Sequence, residues 1–244
     1  MRSRSRFLLL AILVAVGVAA SADAQGQSDE WQFQLAPLYL WAMSVDGTMT
    51  FRDRASGEFE VDFKDAFDNL ETAFTVHFEA GKGRWRLLAD ASYLNLGDSE
   101  EIPTPGGTAD IEIKNLILEG GFGYEVTNQL WIIAGVRYFE LDTEIGFELA
   151  PSIAPSESWF DLYGGLMWRP KLGKRWTFAS RLDAGFGGSD LTWNAAAAID
   201  FRLGKWAAVF AGYRHLQYDY RNQNTGIKYD LGISGPVAAF RFFW

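Results

Sequence analysis

The feature that most constrains this chain is a period of two. Apolar and polar residues alternate through about ten stretches, near 31–43, 72–81, 84–96, 112–125, 129–142, 158–169, 175–187, 191–203, 206–219 and 232–244. Each stretch is bounded by glycine, proline or charged residues, and helical periodicity is almost absent. Successive side chains of a strand point to opposite faces, so this pattern predicts strands with one polar and one apolar face. Composition agrees. Sixteen per cent of the residues are aromatic and ten are tryptophan, yet mean hydropathy is only −0.06, because each apolar face is balanced by a polar one.

Charges decide which face is inside. An arginine on a lipid-facing strand position near a bilayer midplane costs roughly 2–4 kcal/mol, so in a barrel crossing lipid the charged positions take the lumen. Strand by strand, this puts His77, Glu79, Arg86, Asp90, Glu119, Arg137, Asp161, Arg181, Asp183, Asp200, Arg202, Arg214 and Arg241 inside. The opposite parity then holds Phe74, Val76, Phe78, Leu87, Leu116, Leu118, Phe122, Ile132, Val136, Phe160, Leu162, Leu166, Leu182, Ile199 and Phe201. That second set is apolar throughout, although the rule acted only on charges. Six acids face six arginines inside, a near-neutral lumen that ion pairs can fill.

The expected fold class is therefore all-β: a transmembrane, antiparallel up-and-down β-barrel of ten strands, or of eight or twelve if the region 188–206 merges or splits. An even count follows from a chain that begins and ends on one side of the membrane. Short connections at Lys82-Gly83, Val126-Thr127-Asn128, 170–174 and Gly204-Lys205 alternate with mostly longer ones, the pattern of periplasmic turns and extracellular loops. A two-residue turn at Lys82-Gly83 would set Glu79 opposite Arg86, Thr75 opposite Asp90, and Phe78 opposite Leu87. In the long loop 44–71, Phe63, Phe67 and Leu70 recur at helical spacing behind Asp62, which predicts a short helix near 63–70.

An internal repeat aligns Ala89-Asp-Ala-Ser-Tyr-Leu-Asn-Leu, Ala134-Gly-Val-Arg-Tyr-Phe-Glu-Leu and Ala211-Gly-Tyr-Arg-His-Leu-Gln-Tyr. Strands running away from the short turns carry a tryptophan near their start: Trp31, Trp85, Trp131, Trp176 and Trp206. With Trp244 these predict an aromatic girdle at the periplasmic interface, although parity can turn Trp131 and Trp206 inward. Tyr93, Tyr138 and Tyr213 are expected at the membrane interface too.

Arg2, Arg4 and Arg6, an apolar run over 7–20 and the small-residue ending Ala22-Asp23-Ala24 predict a secretory signal peptide over 1–24, cleaved before Gln25. The mature barrel domain would span 25–244. Removing three arginines and one aspartate leaves 22 − 3 = 19 basic and 31 − 1 = 30 acidic residues, a net charge of −11. That balance disfavours nucleic acid as a partner. The lack of cysteine removes disulfide and thiolate chemistry.

Leu35-Ala-Pro-Leu-Tyr-Leu-Trp41 and the closing Gly235-Pro-Val-Ala-Ala-Phe-Arg-Phe-Phe-Trp244 resemble the first and last strands of small proteobacterial outer-membrane barrels, the OmpA-like superfamily. Phe240, Phe242 and Trp244 are similar to the terminal signal recognised by the outer-membrane assembly machinery, with tryptophan where phenylalanine is commoner. The resemblance implies a Gram-negative outer-membrane location, with membrane lipid and lipopolysaccharide as surroundings and the assembly machinery as a partner during biogenesis. It carries over no functional residues.

No cofactor and no catalytic set is expected. His215 matches Tyr93 and Tyr138 in the repeat, which favours an interfacial ring over a catalytic base, and no serine, aspartate and histidine arrangement can be specified from spacing. His77 lies inward near Glu79 and Arg86, where a structural hydrogen-bonded histidine is the commoner case. Asp62, Asp65 and Asp68 recur every third residue, but a solvated helix start favours acids without any metal. Asp98, Glu100 and Glu101, with Asp142, Glu144 and Glu148, make other loops acidic, suited to bridging lipopolysaccharide phosphates through divalent ions. Gly120-Gly121-Phe122-Gly123 lies within a strand, so it reads as room for bulky lumen side chains and not as a phosphate loop. Three functions remain in rank order: a structural or surface-interaction barrel, a narrow pore for ions or small solutes, and an outer-membrane hydrolase of lipid or peptide.

Overall fold

The computed structural model describes residues 29–37, 39–51, 55–61, 70–98, 109–147 and 155–244. The expected signal peptide and all but the last residue of the expected helix lie outside these residues, and Leu70 opens a strand. The acids Asp62, Asp65, Asp68, Glu100, Glu101 and Glu148 lie outside them as well.

Thirteen strand segments are present among the described residues. The first barrel strand is split into β1 (Gln32–Ala36) and β2 (Tyr39–Trp41), and continues into β3 (Ser44–Phe51). β4 (Ala55–Val61) folds back on β3. Nine more follow: β5 (Leu70–Lys82), β6 (Trp85–Asp98), β7 (Ala109–Thr127), β8 (Leu130–Phe147), β9 (Ser156–Trp168), β10 (Trp176–Gly187), β11 (Leu191–Arg202), β12 (Ala207–Asn222) and β13 (Ile227–Phe243). Each pairs antiparallel with the next, and β1 pairs with both β5 and β13, which closes a ten-strand barrel. The region 188–206 holds one strand, β11, so the count of ten stands.

The strand expected over 31–43 is interrupted at Pro37, which has no N–H to give to a ladder. Pairing with β13 slips there by one residue: Gln34 sits opposite Phe243, but Trp41 sits opposite Val237, and 34 + 243 is one less than 41 + 237. A slip of one reverses inside and outside, so Ala36 and then Tyr39 and Trp41 are buried. Where a loop was expected over 44–71, β3 and β4 form a hairpin that prolongs the wall beside β13.

The first short turn also differs. It is Gly83-Arg84, flanked by the pair Lys82 and Trp85, because the turn needs a positive φ and Gly83 supplies it at 58°. Thr75 therefore faces Ser92, His77 faces Asp90, Phe78 faces Ala89 and Glu79 faces Leu88. Partners shift by two, an even number, so inner and outer faces are unchanged.

The outer wall is apolar from the short-turn end up to Leu116 on β7 and Tyr138 on β8. Beyond them the outward positions become Lys114 and Glu112, and Glu140, Asp142 and Glu144. β8 continues to Phe147, about 30 Å of strand past Tyr138 at roughly 3.3 Å per residue. β12 and β13 likewise exchange outward tyrosine, proline and alanine for Gln217, Asp219, Asp230 and Lys228. The wall thus rises past the apolar belt as a polar-faced rim.

Candidate functional site: a layered lumen

Alternation carries all thirteen charge-bearing residues of the sequence analysis to the inner face, and the ladder brings most of them into one network. Glu79 is fully buried. Its carboxylate accepts from Arg86 Nη1 at 2.6 Å and from both terminal nitrogens of Arg169, one at 2.8 Å. His77 bridges Glu79 at 2.8 Å and Asp90 at 3.0 Å through its two ring nitrogens. Glu119 accepts from Arg137, Arg181 and Arg214 at 3.2, 2.7 and 2.7 Å. Asp183 accepts from Arg137 at 2.8 Å, Arg181 at 2.7 Å and Asn194 at 2.9 Å. Arg214 also donates to Asn194 Oδ1 and to the Tyr39 hydroxyl.

Rings supply the second half of the solvation. Arg137 and Arg181 both lie over the Tyr163 ring, at 5.0 and 5.1 Å from its centroid. Arg86 lies over Trp131, Arg214 over Trp41 and Arg241 over Phe210. Such stacking contributes about 2 kcal/mol when the cation is desolvated. Gly121 and Gly135 make room for Tyr163, since a Cβ on either would strike its hydroxyl.

Two inward charges stand apart. Asp161 is opposite Arg137 in the ladder, yet accepts from Ser189 N at 2.9 Å, Ser189 Oγ at 2.6 Å and Thr192 Oγ1, which ties down the tight 188–190 connection. Arg202 sits at the exposed lower mouth with its guanidinium over Phe243. Arg241 approaches Asp200 at 3.1 Å.

Above this charged layer the lumen changes character. Phe139, Trp159, Tyr218, Tyr220 and Tyr229, with Ile117, Leu141, Leu216, Leu231 and Ile233, form one buried cluster reaching down to Tyr39 and Trp41. Trp159 and Tyr220 stack at 4.0 Å between centroids, and Phe139 lies 4.9 Å from Trp159 and 5.2 Å from Tyr218. Glu157 at its upper edge is held by Tyr220, Asn222 and Thr225. Among the described residues, the ion-paired network of the expected charge-filled lumen thus occupies its lower and middle parts, with the lone carboxylate Glu157 above the rings.

Several network members went unnamed from sequence: Arg169, Tyr39, Asn194 and Tyr163. Arg169 shares parity with Asp161, and extending the alternation to the end of that strand would have found it. Tyr39 was hidden by the slip at Pro37. Asn194 and Tyr163 carry no charge, so the charge rule passed over them.

The interface aromatics lie on the outer wall, Trp31, Trp85, Trp176, Tyr213 and Trp244 exposed and Tyr93 and Tyr138 half-buried. Trp131 faces inward and Trp206 outward, stacked on Phe242. Phe33 stacks on Trp31, Phe78 and Trp244 across the closing seam. Phe240 and Phe242 share the outer face with Trp244, and Arg241 between them turns inward. His215 is on the outer wall under Trp193, with ring centroids 4.5 Å apart.

No family model and no curated protein sequence matches the chain. Solved structures do. The outer-membrane protease OmpT of Escherichia coli superposes with a TM-score of 0.50 at 8% identity, covering 92% of this chain and all (100%) of OmpT. Ail, the attachment invasion locus protein of Yersinia pestis, covers 87% of this chain and 99% of its own at 9% identity and a TM-score of 0.45. The translocator domain of the Neisseria meningitidis autotransporter NalP covers 96% and 95% at 13% identity and a TM-score of 0.43. At such identities the likeness is one of fold, and the fold is the closed antiparallel barrel of the bacterial outer membrane.

Proposed function

We propose that the protein is a non-conducting outer-membrane barrel that presents its polar rim at the cell surface, in a structural or surface-binding role. The observation that carries this is the buried aromatic cluster around Phe139, Trp159 and Tyr218, which fills the lumen between the charged layer and the rim. Water and ions need polar partners or open space to pass. A packed stack of rings offers neither.

The projecting wall supports the surface role. Its outer face carries Glu112, Lys114, Glu140, Asp142 and Glu144 on one side and Asp219, Asp230 and Lys228 on the other, suited to charged headgroups or a protein partner more than to acyl chains. His77 is held between two carboxylates and His215 is covered by Trp193, positions that suit structural rings and not a catalytic base.

Purified protein folded into planar bilayers is expected to show no current steps at neutral pH, and steady steps would overturn the proposal. A peptide tag inserted at Asn224, in the tight connection between β12 and β13, is expected to be labelled by antibody on intact cells. Labelling only after permeabilisation would refute the orientation.

A further inference from the structure

We infer that the lower lumen is a binding site, open to the periplasm, for a small organic anion: a short-chain carboxylate with a few carbons of apolar tail. The inference rests on the closed-lumen reading, because a sealed outer half leaves the periplasmic mouth as the way in.

The site is a cavity of about 130 Å³ between the charged network and the inner face of β10 and β11. Position along the strands sets its depth. It is bordered by Met167 and Arg169, the last residues of their strand line before a periplasmic turn, and by Arg241 near the chain's end. Volume is available because Ala179 faces Ala198 across β10 and β11 and Ala198 faces Gly212 on β12, so one row of the inner wall carries almost no side chain, with Ala196 beside it.

Charge bookkeeping points to an anion. In the network among the described residues, the cations are Arg86, Arg137, Arg169, Arg181, Arg214 and Arg241, six in all. The carboxylates that meet them are Glu79, Asp90, Glu119, Asp183 and Asp200, five in all. Asp161 is engaged elsewhere, by Ser189 and Thr192. His77, between two acids, adds no negative charge. A buried cation without a counter-charge is costly, and rings offset only part of that cost.

The least committed cation is Arg241. Its one carboxylate is Asp200, its Nε has no hydrogen-bond partner although buried, and it borders the cavity. Arg169, across the cavity, also keeps an unpartnered buried Nε. Guanidinium groups match a planar carboxylate better than they match a spherical ion. The facing wall is apolar, three alanines with Phe210 and Val237, which calls for a ligand with a hydrocarbon end.

Titration calorimetry of the full-length mature protein in detergent micelles, with sodium butyrate as probe, tests this. Saturable binding with a Kd of about 1 mM or tighter is expected, with none for butylammonium or butanol. Ala198→Leu, which fills the cavity and leaves every charge in place, and Arg241→Gln are each expected to weaken binding about tenfold. Ala196→Leu serves in place of either variant that loses its heat-dependent gel mobility shift. Absence of saturable butyrate binding, or binding unchanged in the cavity-filled variant, overturns the site. Inorganic phosphate binding more tightly than butyrate overturns the role given to the apolar wall. Failed binding in a protein that passes no current leaves the closed-lumen reading intact, whereas current steps would remove its basis.

Discussion

Glu79→Gln should be among the most damaging single changes in the barrel interior, and Asp183→Asn, an equally buried and equally conservative change, should be mild. The difference lies in redundancy. Among the described residues, Glu79 is the only carboxylate paired with Arg86 and Arg169, so neutralising it strands two buried guanidinium groups and loosens His77. Removing one partner of a buried pair costs about 3–5 kcal/mol, and the stranding of two cations places Glu79→Gln toward the top of that range. Asp183 shares both of its arginines with Glu119: Arg137 reaches Glu119 at 3.2 Å and Arg181 at 2.7 Å. Its neutralisation weakens hydrogen bonds without stranding a charge, at about 1–2 kcal/mol. The gap, about 3 kcal/mol, is about two decades in the unfolding constant. Urea unfolding of the protein in lipid vesicles, followed by tryptophan fluorescence, resolves a gap of that size. Adding Arg169→Met to Glu79→Gln should recover part of the loss by removing one stranded cation. If Asp183→Asn proves as damaging as Glu79→Gln, or if the double variant is less stable than the single, the account of redundancy fails.

Three further outcomes are expected. Gly135→Ala should destabilise by about 3 kcal/mol, the upper part of the overpacking range, because the new Cβ would meet the Tyr163 hydroxyl at 2.6 Å and Gly121 Cα at 2.7 Å. Tyr163→Phe in the same chain should restore only part of that in urea titrations, since the backbone contact remains. Gly235→Ala should impair closure at the seam, where its Cβ would meet the Ala42 carbonyl; the fraction of refolded protein that shifts on gels when unboiled would fall, and an unchanged fraction would count against the seam geometry. At the rim, burial pushes the Asp219 carboxyl up, Lys228 opposes, and Asp230 and Asp190 push it further. A carboxyl raised on folding stabilises below its unfolded pKa and loses that contribution as pH rises through its folded value. Asp219→Asn should therefore slow proteolysis of the β12–β13 hairpin at pH 7 and leave it unchanged at pH 3, whereas an equal effect at both values would refute the repulsion.

Period-two alternation and the placement of charge made the inner and outer walls legible residue by residue. They survived a wrong turn because the slip from Lys82-Gly83 to Gly83-Arg84 moves partners by two, and an even shift keeps every side chain on its face. They do not carry across Pro37, where the slip is one and the inward parity passes from Gln34 and Ala36 to Tyr39 and Trp41. β3 and β4 escaped notice because they are short and the outward positions of β3, Asp46, Thr48 and Thr50, are polar above the membrane, where no lipid enforces an apolar face. The aromatic cluster was legible in principle, since Phe139 follows Arg137 and Tyr218 follows Arg214 at the same parity, but a rule built on charges does not weigh uncharged inward residues.

An even strand number, the sidedness of each strand and the apolar belt thus follow from local pattern, because lipid penalises each exposed charge independently of what lies across the barrel. Which charges meet depends on closure. Arg169 and Glu79 are 90 residues apart, Arg214 and Tyr39 are 175 apart, and the ladder register that brings them together depends on the turn at Gly83, the break at Pro37 and the seam between β1 and β13. The surplus of cations over the carboxylates they meet, and the cavity left by three alanines beneath a roof of stacked rings, exist only once that seam is shut.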